Sequence, residues 1–424
     1  MLNINKIKRH VLKKLEKILF LIIRNAPLNL ALFLSRLMRK ILFREKIFEN
    51  SEFKNFIEYK KFVKFSNSLN KKNKFFSVVS PPANKINLED RSSRVKGKRV
   101  FFICCDGNQN DSKKTPATFL DVWRDTSNDA GIIHKVSVAN KFMYNVMPGF
   151  LLEKEDYVDN VINEIKIFGT ELIFFDANYI PNEFTLNQDD FIRIKKETNI
   201  PIYGHIGDFI DEHGVNCARI WLTAIDCIFH SNIEMLDTKI EGLHYIPYSC
   251  SVKRYYPGCK KSIPIFFSGV VNISRLWYVL KVQKFVDNFL PNSLISFFKS
   301  NERTSKNFLH QSEYDAIIRK SSAVLDLTHR SRKVKNTSGR MFQAMAAETV
   351  LVAEECSALN KLLQPYVEYL PFKNGKELDY ALQLLKEEPD LCKLIATNSL
   401  TKFKLNHSPI NVWSKIIDGN KFFE

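Results

Sequence analysis

The chain has 424 residues, 45% of them hydrophobic, enough to bury two cores, and its 14 Gly and 15 Pro exclude collagen-like and broadly disordered classes. Its eight cysteines (Cys104, Cys105, Cys217, Cys227, Cys250, Cys259, Cys356 and Cys392) include no C-x-x-C pair, which argues against a zinc ribbon or a disulfide framework and for reduced, buried thiols. The net charge of +17 sits in the first quarter: residues 1–98 hold 24 Lys and Arg against 7 Asp and Glu, and the rest balances at 39 against 39, so the basic character belongs to an arm and not to a nucleic-acid-binding face on the body.

The arm, residues 1–65, is predicted to carry two helices. Ile7, Val11, Leu15, Ile18 and Ile22 recur every three or four residues, and Lys6, Lys8, Arg9, Lys13, Lys14 and Lys17 fill the other side. Pro27 is expected to break that helix. A second follows, with Leu30, Phe33, Leu34, Leu37, Met38, Ile41 and Leu42 apolar and Arg36, Arg39, Lys40 and Arg44 basic; no acidic residue lies between Glu16 and Glu45. Basic amphipathic helices lie in the headgroup layer of anionic membranes, so residues 6–44 are expected to hold the chain there, peripheral on the inner, cytoplasmic face of the membrane. A spanning helix fits less well, because Arg24, Asn25, Pro27 and Asn29 interrupt the apolar run. So does a cleavable signal peptide, whose apolar core would be only residues 18–23. Docking of both helices on the folded body is the alternative. Lys, Phe and Asn interleave between Lys54 and Phe76 in a way that could stack on nucleic acid, but the regular amphipathic period favours lipid. Residues 66–98 read as a polar linker.

From residue 99 apolar runs alternate with helical stretches. Residues 99–105 have the pattern of a buried strand ending at Asp106-Gly107-Asn108. A helix is predicted over 116–130, with Thr115 as N-cap and Gly131 just past its end. Strands 132–138, 171–175, 201–204 and 226–230 follow, with helices 154–168 and 188–198 between them. This alternation predicts a doubly wound α/β domain over 99–258. Ligands on such sheets bind outside the carboxyl ends of the strands. One rim thus gathers residues 106–110, Asp176-Ala177-Asn178 and His205-Ile206-Gly207-Asp208.

A second domain is predicted over 259–408. Strand 263–267 runs into Ser268-Gly269, where glycine lets a ligand approach the backbone, and Arg275 lies near the following helix start. Helices 276–288 and 312–320 alternate with strands 294–298 and 323–327. A basic loop, with His329, Arg330, Arg332, Lys333 and Lys335, precedes Thr337-Ser338-Gly339-Arg340, which opens a helix with Met341, Phe342, Met345 and Ala346 on its apolar face. Unpaired amides and the helix dipole make such an N-terminus an anion site, and Arg forks match phosphate oxygens. Strand 349–353 and helices 375–387 and 389–400 follow, and 409–424 holds a terminal helix.

Residues 340–354 resemble the nucleotide-sugar site of GT-B glycosyltransferases, in particular the CgeB-like spore-protein group, whose pattern is roughly R-x-F-E-A-M-A-x-G-x-x-x-x-A-E. Arg340, Phe342, Ala344, Met345, Ala346, Ala353 and Glu354 match it. The group's ribose-binding Glu falls at Gln343, its Gly at Glu348, and a second Glu of many relatives at Lys335. Ile246-Pro247-Tyr248-Ser249 and Tyr256-Pro257 are similar to the interdomain crossing of GT-B enzymes, and 409–417 to their returning helix. The resemblance covers about 99–418 and is strongest over 263–390.

It implies two Rossmann-like domains and metal-independent transfer of a sugar from a nucleotide-diphosphate donor, which is substrate and not cofactor, to a surface-polysaccharide or lipid-linked acceptor hydroxyl. Gly269, Arg275, Arg330, Ser338, Gly339 and Arg340 would face the diphosphate and Gln343 the ribose. A general base would come from the first domain, with His205 and Asp208 the candidates. Gln343 and Glu348 carry the alternative, a catalytically inactive GT-B-fold protein serving as a membrane-bound interaction module.

Overall fold

Strands that are apolar on both faces must be covered on both faces, and here they form two all-parallel sheets. The computed structural model describes residues 26–43, 88–104, 119–139, 143, 151–207, 212–233, 239–271, 273–298, 309–327 and 338–419. The arm helix predicted over 6–22, residues 106–110, Thr115, Asp208, Arg330 and Lys335 lie outside the described residues.

The first sheet holds β1 (Arg99–Cys104), β2 (Ile133–Val138), β3 (Leu172–Asp176), β4 (Ile202–Ile206), β5 (Cys227–His230) and β6 (Leu243–Tyr245), in the order β2-β1-β3-β4-β5-β6. The second holds β7 (Ile263–Val270), β8 (Leu294–Phe298), β9 (Ser321–Asp326), β10 (Val350–Glu354) and β11 (Leu370–Phe372), in the order β11-β10-β9-β7-β8. Each order reverses once, between β1 and β3 and between β7 and β9. Those two points open crevices at the carboxyl ends of the strands.

Helices α3 (Phe119–Asp129), α4 (Leu151–Phe168), α5 (Gln188–Thr198) and α6 (Glu212–Trp221) accompany the first sheet. Helices α7 (Ile273–Phe289), α8 (Gln311–Lys320), α9 (Gly339–Ala346), α10 (Ser357–Leu362), α11 (Gly375–Glu387) and α12 (Pro389–Lys402) accompany the second. Local chemistry sets the ends of α5. Asn187 and Asp190 form a reciprocal capping box, and Asn199 closes the helix in the left-handed region at φ +56°. A π-helical turn, Phe403–His407, then leads into α13 (Pro409–Asp418).

Helix α13 returns to the first domain, where its Trp413 ring is 5.8 Å from Trp123 and 5.9 Å from Phe102, both edge-on. The Trp413 Nε1 donates to Thr126 Oγ1 at 3.1 Å, so the buried indole is both packed and satisfied. Residues 88–95, expected to be linker, are instead the helix α2 (Leu88–Val95). Its Val95 is fully buried, and Arg91 Nη1 donates to Asn411 Oδ1 of α13 at 2.9 Å. The polar composition of this segment hid a helix that tertiary packing holds.

Helix α1 (Leu28–Phe43) lies on α7. Ala31 and Ser35 are buried, and Leu28, Leu32 and Leu34 pack against the second domain's core. Lys284 Nζ donates to Asn29 Oδ1 at 2.9 Å. The alternative of docking on the folded body therefore holds for one face of this helix. Among the described residues no helix is long and apolar enough to cross a membrane.

Gly375, which opens α11, sits under the Trp277 ring, and an added Cβ would overlap that ring. Gly375→Ala is expected to lower stability by about 1–3 kcal/mol through overpacking, read as a lower urea midpoint. An unchanged midpoint would mean that Trp277 is not seated there.

Candidate functional site

The second sheet's switch point brings together the ends of β7 (Ser268, Gly269) and β9 (Asp326) with the start of α9. Arg340, in the first turn of α9, fills the crevice between the two strands. Its Nη2 donates to Ser268 O, its Nη1 to Leu325 O at 3.2 Å, and its Nε to Tyr314 Oη at 3.3 Å. Asp326 Oδ1 lies 3.8 Å from Nη1, and the guanidinium stands 5.2 Å from the Phe267 ring centroid. Arg340 was expected to face a diphosphate. In the structure three of its five N–H donors meet protein oxygens, which makes it a holder of the rim. Gly269 follows from that: a Cβ there would come within 3.2 Å of Arg340 Nη2.

The N-terminus of α9 has no side-chain cap. The Ser338 hydroxyl, which could have capped it, donates to Asp326 Oδ2 at 2.7 Å. Among the described residues a Cβ on Gly339 would meet nothing within 4 Å. The orphan amides of a first turn are an anion-binding feature of the backbone itself. Arg275 is half-buried in the first turn of α7, the helix that leaves the same end of β7.

Gln343 is half-buried, and its Oε1 accepts from Tyr314 Oη at 3.2 Å. Because the same phenol oxygen accepts from Arg340, one chain of hydrogen bonds runs from the crevice to Gln343. Glu348, where the resembled pattern has glycine, sits at φ +52°, the left-handed region that glycine reaches without strain. Thr397 Oγ1 donates to its Oε1 at 2.9 Å, which helps to hold the side chain.

In the first domain His205 is the penultimate residue of β4 and is 1% exposed. Its Nε2 is 2.9 Å from Ser231 Oγ, and its ring is flanked by Trp123 at 4.8 Å, Tyr248 at 5.8 Å and Phe174 at 6.4 Å. Burial, with the neighbouring His230, lowers its pKa to about 3. Enclosure of the ring by these neighbours weakens the case for His205 as a general base and favours Asp208 of the two candidates.

The crossing segment joins both rims. Ile246 N donates to His230 O at 2.8 Å and Tyr248 Oη to Gly207 O at 3.1 Å on the first domain. Cys250 Sγ donates to Phe342 O of α9 at 3.3 Å. Arg254 then bridges Asp125 of α3 (Nη1 to Oδ2, 2.8 Å) and Asp315 of α8 (Nε to Oδ2, 2.8 Å; Nη2 to Oδ1, 3.1 Å), and Asp315 also accepts from Tyr255 Oη at 2.5 Å. Sequence reasoning missed Asp326, Tyr314 and Arg254. A carboxylate ending the apolar run of β9 was the available signal for Asp326; the other two pair across long sequence separations.

The model of the Glycosyl transferase-like family matches residues 293–418, which include β9, α9 and β10. No curated protein sequence matches the chain. Among solved structures, HepE from Anabaena in complex with UDP and glucose is similar with a TM-score of 0.50 at 10% identity, over 76% of this chain and 98% of HepE. Sucrose-phosphate synthase from Thermosynechococcus elongatus gives a TM-score of 0.49 at 11% identity, over 75% and 97% of the two chains. The two parallel sheets and their helices have the α/β architecture of GT-B glycosyltransferases.

Arg340→Ala is expected to destabilise the protein by about 3–5 kcal/mol, because it leaves Asp326 buried without its cation. Arg340→Lys should recover little, since a point charge cannot replace the fork. Denaturant unfolding measures both, and a wild-type midpoint for the alanine variant would refute the structural role. The buried histidines give a pH dependence. Burial lowers His205, His230 and His407 to about 3 from 6.5. The unfolded chain therefore binds more protons between those limits. Stability from these groups is full above pH 6.5 and falls as pH drops toward 3. A melting temperature that stays flat from pH 7 to pH 5 would contradict this.

Proposed function

We propose that the chain transfers a sugar from a nucleotide-diphosphate donor to a hydroxyl of a surface-polysaccharide or lipid-linked acceptor, at the inner face of an anionic cytoplasmic membrane. One observation carries this: the uncapped N-terminus of α9 opens beside Gly269 at the β7/β9 switch point, within the stretch that matches the Glycosyl transferase-like family. HepE, similar in fold, is seen with UDP and glucose.

In this reading the bond between the sugar's anomeric carbon and the diphosphate oxygen breaks, and the acceptor oxygen forms the new one. The acceptor's proton passes to a base. The charge gathering on the departing diphosphate is met by the first-turn amides of α9, with Ser338 and Gly339 beside it, and by Arg275 and Arg330, without a metal. Arg340 contributes by fixing β7, β9 and α9 in one geometry. The base is Asp208, two residues past the end of β4 in the sequence. Gln343 takes the ribose. With its Oε1 engaged by Tyr314, it offers the ribose hydroxyls its amide N–H groups.

Gln343→Glu would give Tyr314 one carboxylate oxygen and the ribose the other. A charge-assisted hydrogen bond exceeds a neutral one by about 1 kcal/mol, so nucleotide-diphosphate affinity is expected to rise about fivefold and Gln343→Ala to lower it. Calorimetry with a panel of nucleoside diphosphates, beginning with UDP, measures the affinities, and release of nucleotide from nucleotide sugars measures turnover. Affinity indifferent to both substitutions would remove Gln343 from the site. If neither wild type nor variants bind or turn over any nucleotide sugar, the non-catalytic interaction module becomes the better reading; Gln343 and the strained Glu348 are what favour it.

A further inference from the structure

Helix α1 is apolar on two sides. One side is accounted for, since Ala31 and Ser35 are buried against α7 and the second domain's core. The other is not: Leu30 is 48% and Phe33 63% exposed. A helix that merely covers a core carries polar residues outward. The cations are also at hand. The helix sequence contains Arg36, Arg39 and Lys40 and no acid, and Lys284 of α7 reaches Asn29, the neighbour of Leu30.

We infer that the outward face of α1, which exposes Leu30 and Phe33 in a helix whose sequence also supplies Arg36, Arg39 and Lys40, is a lipid-contact surface that ties an anionic bilayer to the second domain. The inference rests on the membrane half of the proposed function and makes it specific. An occupant must accept apolar side chains and complement concentrated positive charge. Anionic lipid meets both demands, with the rings and leucines at the acyl boundary and the cations among headgroups. A second copy does not, because each chain brings the same excess of +17, all of it within residues 1–98. Since α1 is packed on α7, and α7 leaves the rim at Gly269, the membrane contact belongs to the same domain as α9.

The test uses the full chain and the double variant Leu30→Asn/Phe33→Asn, whose side chains are exposed and leave the α1–α7 packing alone. Wild type is expected to float with vesicles containing phosphatidylglycerol, less as salt rises, and not with pure phosphatidylcholine. The double variant should lose vesicle affinity by roughly tenfold or more, with unchanged melting temperature and unchanged affinity for UDP. A variant that floats like wild type overturns this surface while leaving membrane binding standing. A wild type that does not float overturns both the surface and the membrane half of the proposed function, and leaves nucleotide binding to be judged separately by calorimetry. A solution dimer that the variant abolishes would assign the face to a second copy and overturn the lipid inference.

Discussion

The half-buried guanidinium of Arg340 is the tie on which the second domain's rim depends. Two parallel strands diverge at a switch point and leave carbonyl oxygens facing a crevice. Ser268 O and Leu325 O are such groups, and Arg340 donates to both, while Tyr314 and Asp326 complete its surroundings. A cation so engaged fixes its neighbours, because releasing it would leave the buried Asp326 without its charge partner. The rest of the rim follows. Gly269 must be small beneath it, Ser338 is turned toward Asp326, and α9 is left without a side-chain cap from Ser338. The candidate anion site is thus a by-product of how the crevice is closed.

The same logic runs through the junction of the two domains. The crossing segment is anchored to the first rim by Ile246 and Tyr248, to α9 by Cys250 and to the returning π-helical turn by Ser249, whose Oγ donates to His407 O at 2.7 Å. Arg254 adds charged bonds to both domains. Trp413 closes the circuit on the first domain's core. Chemistry between a donor on one domain and an acceptor on the other needs such a frame, because misplacement by about 1 Å is costly to a transfer reaction.

Much of this architecture was legible in the amino-acid sequence, and for definite reasons. Helix α5 and strand β8 have the bounds their patterns predict, the first because Asn187, Asp190 and Asn199 mark both ends, the second because an apolar run is bounded by polar residues. Short elements were not legible. Strand β6 has three residues, strand β11 contains Pro371, and the polar helix α2 is held by contacts with α13. At the candidate site the location was readable from Ser338-Gly339-Arg340, and a need for positive φ from the glycine that Glu348 replaces. The roles were less readable. Arg340 looks like a phosphate ligand in one dimension because its acceptors are backbone oxygens of Ser268 and Leu325, which no side-chain pattern announces. His205 looked like a base because a strand end is a good address, but Trp123, Phe174 and Tyr248 close over it.

The central claim is that a nucleotide diphosphate binds on the amides that open α9. Amide hydrogen exchange followed by mass spectrometry, with and without UDP, tests it at the backbone itself. The account expects slowed exchange in peptides spanning 338–343 and 266–271, with the first domain's strands unaffected. Binding of UDP with protection elsewhere and none at 338–343 would contradict it.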